Sequence, residues 1–204
     1  HVIDRLKRSR LSDEIIIATT TLERDKVVVE QAKKNGVKWF CGSEDDVLSR
    51  YYCAAKENDL DVVVRVTSDC PLIDPVILDN VVDFYMSNNY TLVTNAGINF
   101  EQRTFPRGLD VEVFSFSMLE YAFNNAQKSY QREHVTPYLY ETYFDSIYYY
   151  KNDVDYSNFR WILDTDEDYA LISAIYDRLY KKYGSNFGLY EVRFGFIRRI
   201  AGKF

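Results

Sequence analysis

The sequence predicts an α/β domain in which a mainly parallel β-sheet is flanked by helices, and three observations predict it. Short β-branched runs, Ile15-Ile16-Ile17 and Val62-Val63-Val64 foremost, alternate with segments of helical periodicity, which is the rhythm of βαβ units. The run from Asp61 to Val66 carries almost no polar face, as expected of a parallel strand covered on both sides. The 204 residues are 47% hydrophobic with only 8 Gly and 4 Pro, enough apolar material for one sizeable core and too little punctuation for linkers or disorder.

Val2, Ile3 and Leu6 read as the apolar face of a helix, so the chain, which starts at His1, reads as beginning inside an element. Glu14 to Ala18 is a strand, Thr19 to Thr21 a loop, and Glu23 to Asn35 a helix stopped by Gly36. Val37 to Cys41 is a short strand. Gly42-Ser43 opens the next helix, with Ser43 placed to cap its free amides and Glu44, Asp45 and Asp46 at its positive dipole end. After the strand at Asp61 to Val66 come Thr67-Ser68-Asp69-Cys70-Pro71, a helix from Pro75 to Ser87 and a strand from Tyr90 to Asn95. A loop from Ala96 to Gly108 leads to an alternating strand, Asp110 to Ser115, and a helix from Ser117 to Asn125. Tyr138 to Phe144 ends another helix. Strands near Ile147 to Tyr150 and Trp161 to Leu163 and a long helix from Glu167 to Tyr183 follow. Beyond Glu191 the tail holds four basic residues and no acidic one, and reads as a loosely ordered terminus.

Composition narrows the function. The net charge of −6 argues against a general nucleic-acid surface, so an anionic ligand requires a local pocket with a metal. Cys41, Cys53 and Cys70 are odd in number and lack C-x-x-C spacing, which predicts neither a disulfide framework nor a zinc site and suits a reducing cytoplasm. The apolar runs are strand-sized, and no membrane segment or signal peptide is expected. The tyrosines clustered between Tyr138 and Tyr150 read as half-buried aromatics of strands and helices.

Ligands of open parallel sheets bind beyond the carboxyl ends of strands. Two acids fall there: Asp69, after the valine-rich strand, and Asp164, after Arg160-Trp161-Ile162-Leu163. If their strands are neighbours, both carboxylates face one crevice, and two oxygen ligands with open positions suit Mg²⁺, which completes its shell with water and phosphate oxygens. The same residues fit a plainer reading. Asp164 to Asp168 precede a helix that acids would cap, and Asp69 precedes a turn at Pro71.

Five stretches run in order along the chain: Gly42-Ser43-Glu44-Asp45-Asp46-Val47-Leu48-Ser49-Arg50-Tyr51, Thr67 to Pro75, Phe105 to Phe114, Arg132 to Tyr138, and Arg160 to Thr165. Together they resemble the spore coat polysaccharide biosynthesis protein F family, which is grouped with the cytidylyltransferases that activate acidic sugars. The resemblance implies a Rossmann-like sheet of the nucleotide-diphosphosugar-transferase type and Mg²⁺-dependent transfer of CMP from CTP to a sugar acceptor. It implies Asp69 and Asp164 as metal ligands and Gly42, Ser43, Glu44 and Asp45 beside the nucleotide base. Arg107, Asp110, Arg132, Glu133 and His134 fall to the acceptor. Ser68 stands where the family has glycine, and Asp166 where it has proline. The family's opening strand and phosphate-binding loop are not found in these residues, so 1–190 reads as a single nucleotidyltransferase domain lacking that strand, and 191–204 as an atypical basic tail. An exposed strand edge predicts self-association, a homodimer being its simplest form. Two rival readings remain: a glycosyltransferase using Asp164-Thr165-Asp166 as a metal motif for a nucleotide-sugar donor, and an inactive fragment.

Overall fold

The computed structural model describes residues 1–97 and 100–194, so the basic tail expected over 191–204 lies outside the described residues from 195 onward. A short helix α1 (Val2–Leu6) precedes β1 (Ile16–Thr20), α2 (Lys26–Lys34), β2 (Lys38–Gly42), α3 (Val47–Glu57), β3 (Val62–Arg65) and α4 (Pro75–Ser87). β4 (Leu92–Thr94), β5 (Glu112–Ser115), α5 (Phe116–Asn125), α6 (Ser129–His134) and α7 (Pro137–Thr142) follow, then β6 (Ile147–Tyr149), α8 (Asp166–Tyr183) and α9 (Leu189–Val192).

β1 and β2 form a parallel pair, and the remaining strands form a second sheet in the order β3-β5-β4-β6. β5 runs antiparallel to both β3 and β4, while β4 and β6 are parallel, so every strand of this sheet except β5 shares one direction. The expected α/β architecture with helix-covered, parallel-rich sheets is therefore present. Alternation along the strands sorts the core into two layers. Val93, Val111 and Val113 face α4 and α8, packing with Leu78, Val81 and Ile175. Leu92, Phe114 and Val63 face the other way, onto Leu48 of α3 and Leu119 and Ala122 of α5.

Several expected elements shift, each for a local reason. The strand β1 continues through Thr19 and Thr20, because those residues pair with Cys41 and Gly42 of β2. Ser43 does not cap α3. Its Oγ closes the preceding turn on the Asp46 amide, and Asp46 caps the helix by accepting from the Ser49 amide at 2.9 Å. The strand expected at Trp161 to Leu163 reduces to a single parallel bridge between Arg107 and Arg160. There the chain makes only Arg107 N–H to Phe159 O and Trp161 N–H to Arg107 O before turning toward Asp69. Gly108, at φ +102°, allows this close approach, since a Cβ there would lie 2.6 Å from the Trp161 carbonyl group.

Two buried polar residues hold the ends of the fold together. Asp74 caps α4, its Oδ1 accepting from the Val76 amide at 2.9 Å, while its Oδ2 accepts from the Leu189 amide at 2.8 Å and so fixes α9. Arg5, fully buried, donates to the carbonyls of Ile73 and Phe187 and stacks over the Phe187 ring. Between β1 and β3 no backbone ladder closes the gap. Two cavities of about 770 and 690 Å³ occupy it, walled by Ile16 and Ala18 on one side and Val63, Val64 and Val66 on the other.

Candidate active site

The candidate site is assembled where β3 ends. The turn after it is closed by the Cys70 amide on the Thr67 carbonyl, which leaves Ser68 exposed and Asp69 half-buried at the sheet's edge. The segment leading to Asp164 meets Asp69 directly: the Leu163 amide donates to the Asp69 carbonyl at 2.8 Å. Residues 69 and 164 are thereby brought side by side, although Trp161 to Leu163 form no strand. Cys70, beneath them, is a buried neutral thiol pushed up to about 12 by burial, and its Sγ lies 3.6 Å from Asp69 Oδ1.

The Asp164 carboxylate is paired with Arg160, Nη2 to Oδ2 at 2.5 Å. Arg160 also pairs with Asp168, whose other oxygen accepts from the Asp164 and Thr165 amides at 3.0 Å each. The Arg160 hydrogen bond, ahead of those amides, lowers the Asp168 carboxyl to about 2. Thr165 caps α8 through the Asp168 amide, so Asp168 and Thr165 form a reciprocal capping box, and Asp166 is simply the first residue of the helix.

The residues that the resemblance gives to the acceptor divide into two groups. Arg107 is exposed, and no partner for its guanidinium is recorded among the described residues; its backbone lies beside Arg160 in the parallel bridge. Glu133 and His134 are exposed at the end of α6. Asp110 and Arg132 are engaged. Arg103 Nη1 reaches Asp110 Oδ1 at 2.5 Å, and Arg132 chelates Asp46 through Nε and Nη2, donates to the Phe123 carbonyl and stacks over the Phe123 ring. Through Asp46, Arg132 joins the fourth stretch to the first. Gly42 lies under the Arg50 side chain, where a Cβ would come 2.8 Å from Arg50 Cγ, and Ser43, Glu44 and Asp45 stand exposed beyond it, with Glu44 paired to Arg24.

Sequence reasoning left three residues without a role. Glu112, the cross-strand partner of Arg65, is buried and accepts from Arg65 Nη1 at 2.5 Å, Thr136 Oγ1 at 3.0 Å and Tyr140 Oη at 2.8 Å. It ties the third stretch to the fourth, and burial together with the Glu112 charge pushes the Tyr140 hydroxyl well up. Arg50 and Arg65 border the cavity beside Thr67 and Ser68, and the Nε of each is buried without a hydrogen-bond partner among the described residues. A signal was present for Arg50, which sits inside the first stretch, but nothing in the sequence brings Arg65 to it.

Both the helix-covered, parallel-rich sheet and the sequence it is built from are those of a nucleotidyltransferase. The family model described as cytidylyltransferase matches residues 1–182, and the chain belongs to that family. An uncharacterised protein of Methanocaldococcus jannaschii, MJ1063, is 40% identical over 177 residues, covering 83% of this chain and 68% of the relative. The spore coat polysaccharide biosynthesis protein SpsF of Bacillus subtilis is 29% identical over 168 residues, 81% of this chain and 68% of its own. Among solved structures, a cytidylyltransferase from Leptospira borgpetersenii superposes with a TM-score of 0.89 at 36% identity, covering 98% of this chain and 82% of the other. The described residues contain no helix long and apolar enough to cross a membrane.

Proposed function

We propose that this cytidylyltransferase moves CMP from CTP onto a hydroxyl of an acidic sugar destined for a cell-surface polysaccharide. The acceptor oxygen bonds to the α-phosphorus, the bond from that phosphorus to the bridging oxygen breaks, pyrophosphate departs, and the hydroxyl proton passes to solvent. The observation that carries the reading is the Leu163 to Asp69 hydrogen bond, which brings the two acids to one edge. The donor set fits Mg²⁺: carboxylate oxygens are hard ligands, and two of them would leave positions for water and phosphate oxygens to complete the shell. When bound there, Mg²⁺ supplies charge neutralisation for the triphosphate.

The chain's own residues then have distinct tasks. Asp69 and Asp164 would hold the cation, and half-buried Gly42 with exposed Ser43, Glu44 and Asp45 borders the nucleotide base. Arg107, whose guanidinium has no partner among the described residues, offers two parallel donors to an acceptor carboxylate, with Glu133 and His134 as further polar contacts. Arg132 and Asp110 act at one remove, because their charges are already matched by Asp46 and Arg103. The slot between β1 and β3 suits one more strand, with a phosphate-binding loop at its end. The likeness to SpsF supports the polysaccharide role.

The test is product analysis. The chain, alone and with such a strand and loop of about 30 residues added ahead of His1, is incubated with CTP, Mg²⁺ and a panel of sugar acids. Pyrophosphate is expected in stoichiometric amounts with a CMP-sugar, faster in the extended chain. Arg107→Ala should raise KM for the acceptor and leave that for CTP unchanged. Release of CMP or CDP in place of pyrophosphate, or an acceptor KM indifferent to Arg107, overturns the assignment.

A further inference from the structure

Arg160 stands between two carboxylates that differ in how firmly they are held. Asp168 is sheltered, its side chain 12% exposed, with one oxygen on Arg160 and the other fixed by two backbone amides. Asp164 is 53% exposed, and Arg160 is the partner recorded for its carboxylate among the described residues. A divalent cation taken by Asp164 would lie within a few ångströms of the guanidinium on its Oδ2, and the two positive charges repel. The guanidinium has somewhere to stay, because its Nη1 contact with Asp168 does not involve Asp164.

We propose that Arg160 competes with the divalent cation for Asp164 and withdraws onto Asp168 when the cation binds, which makes Arg160 a positioning residue of the metal site. The inference rests on the reading that Asp69 and Asp164 take a cation. In the cation's absence, Arg160 neutralises Asp164 and keeps it aimed at the site. On binding, the i,i+4 contact is exchanged for a metal–oxygen contact while the Asp168 anchor holds the arginine in place. An exposed ion pair of this kind is weak, so the competition should weaken cation binding by roughly fivefold or less.

Mn²⁺, followed by the loss of its free electron paramagnetic resonance signal, is titrated into the full chain without nucleotide. The set is wild type, Arg160→Met, Arg160→Lys and Asp164→Asn. Arg160→Met is expected to bind Mn²⁺ about 3- to 5-fold more tightly than wild type, with Arg160→Lys between them and serving alone if the methionine variant does not fold. Structural damage would shift affinity the other way. Unchanged or weaker binding in the Arg160 variants, with binding still lost in Asp164→Asn, overturns the role of Arg160 and leaves the metal reading standing. Binding in Asp164→Asn equal to wild type overturns the metal reading and this inference with it.

Discussion

Asp69→Asn is expected to slow CMP transfer on the order of 10²-fold or more, because on the proposed function it removes a charge that would hold the cation beside the phosphates while preserving shape. Asparagine keeps the backbone carbonyl that receives the Leu163 amide, so the approach of the Asp164 segment should persist. The variant should also unfold within about 0.5 kcal/mol of wild type, since Asp69 is half-exposed and, among the described residues, its side chain has only the weak Cys70 contact. Asp164→Asn should behave alike in rate, with a small stability change from the lost exposed pair with Arg160. Pyrophosphate release under saturating CTP and Mg²⁺, beside urea unfolding curves, separates the two quantities. Wild-type turnover in both variants would remove these acids from the chemistry.

The second large effect is on stability. Asp74→Ala should cost about 2–4 kcal/mol, because one buried carboxylate caps two helices and the substitution strands the Val76 and Leu189 amides together. Each lost cap is worth about 1–2 kcal/mol, and the two contacts are part-buried, so water can reach the freed amides and little further cost is added. Asp74→Asn keeps one acceptor oxygen and should lose roughly half as much. The urea midpoint should fall with little change in slope. An alanine variant within about 0.5 kcal/mol of wild type would mean that water or backbone adjustment replaces both caps.

Val62 to Val64 could be read as a strand and the helix ahead of Gly36 as a helix, because a valine run and a helix stopped by glycine are local facts. The expectation of a parallel strand covered on both sides was wrong: β3 is an edge strand, antiparallel to its one ladder partner β5, with only Val63 of the three valines fully buried, since an apolar run reports neither strand direction nor what covers it. The direction of β5 was not legible: Glu112 to Ser115 alternates identically whichever way it runs, and long-range pairing with β3 and β4 decides it. Trp161 to Leu163 misled because bulky apolar residues suit a strand, whereas here Trp161 is buried against the core and its backbone bonds only to Arg107. The Leu163 to Asp69 hydrogen bond shows the backbones of Asp69 and Asp164 to be neighbours, and both could be nominated as candidates by their positions after apolar segments. The spending of Arg132 on Asp46, 86 positions away, and of Asp110 on Arg103 could not, since charge composition does not say which opposite charge folds beside it. Competition within Ser43-Glu44-Asp45-Asp46 hid the true cap of α3 for a related reason: several side chains there can cap, and turn geometry chooses among them.

The gap between β1 and β3 bears on how the molecule breathes. The β1-α2-β2 unit is joined to the larger sheet by side-chain packing and connecting segments, with no backbone ladder between them, so its opening need not wait for global unfolding. It should behave as a separate foldon. In native-state hydrogen exchange, amides of Ala18 and Phe40 in the β1–β2 ladder should exchange through a lower-energy opening than those of Val113 and Phe114 at the centre of the other sheet. A single shared exchange free energy for both ladders would show instead that packing alone couples them into one cooperative unit. If they do separate, anything that bridges the gap would convert two thermal transitions into one.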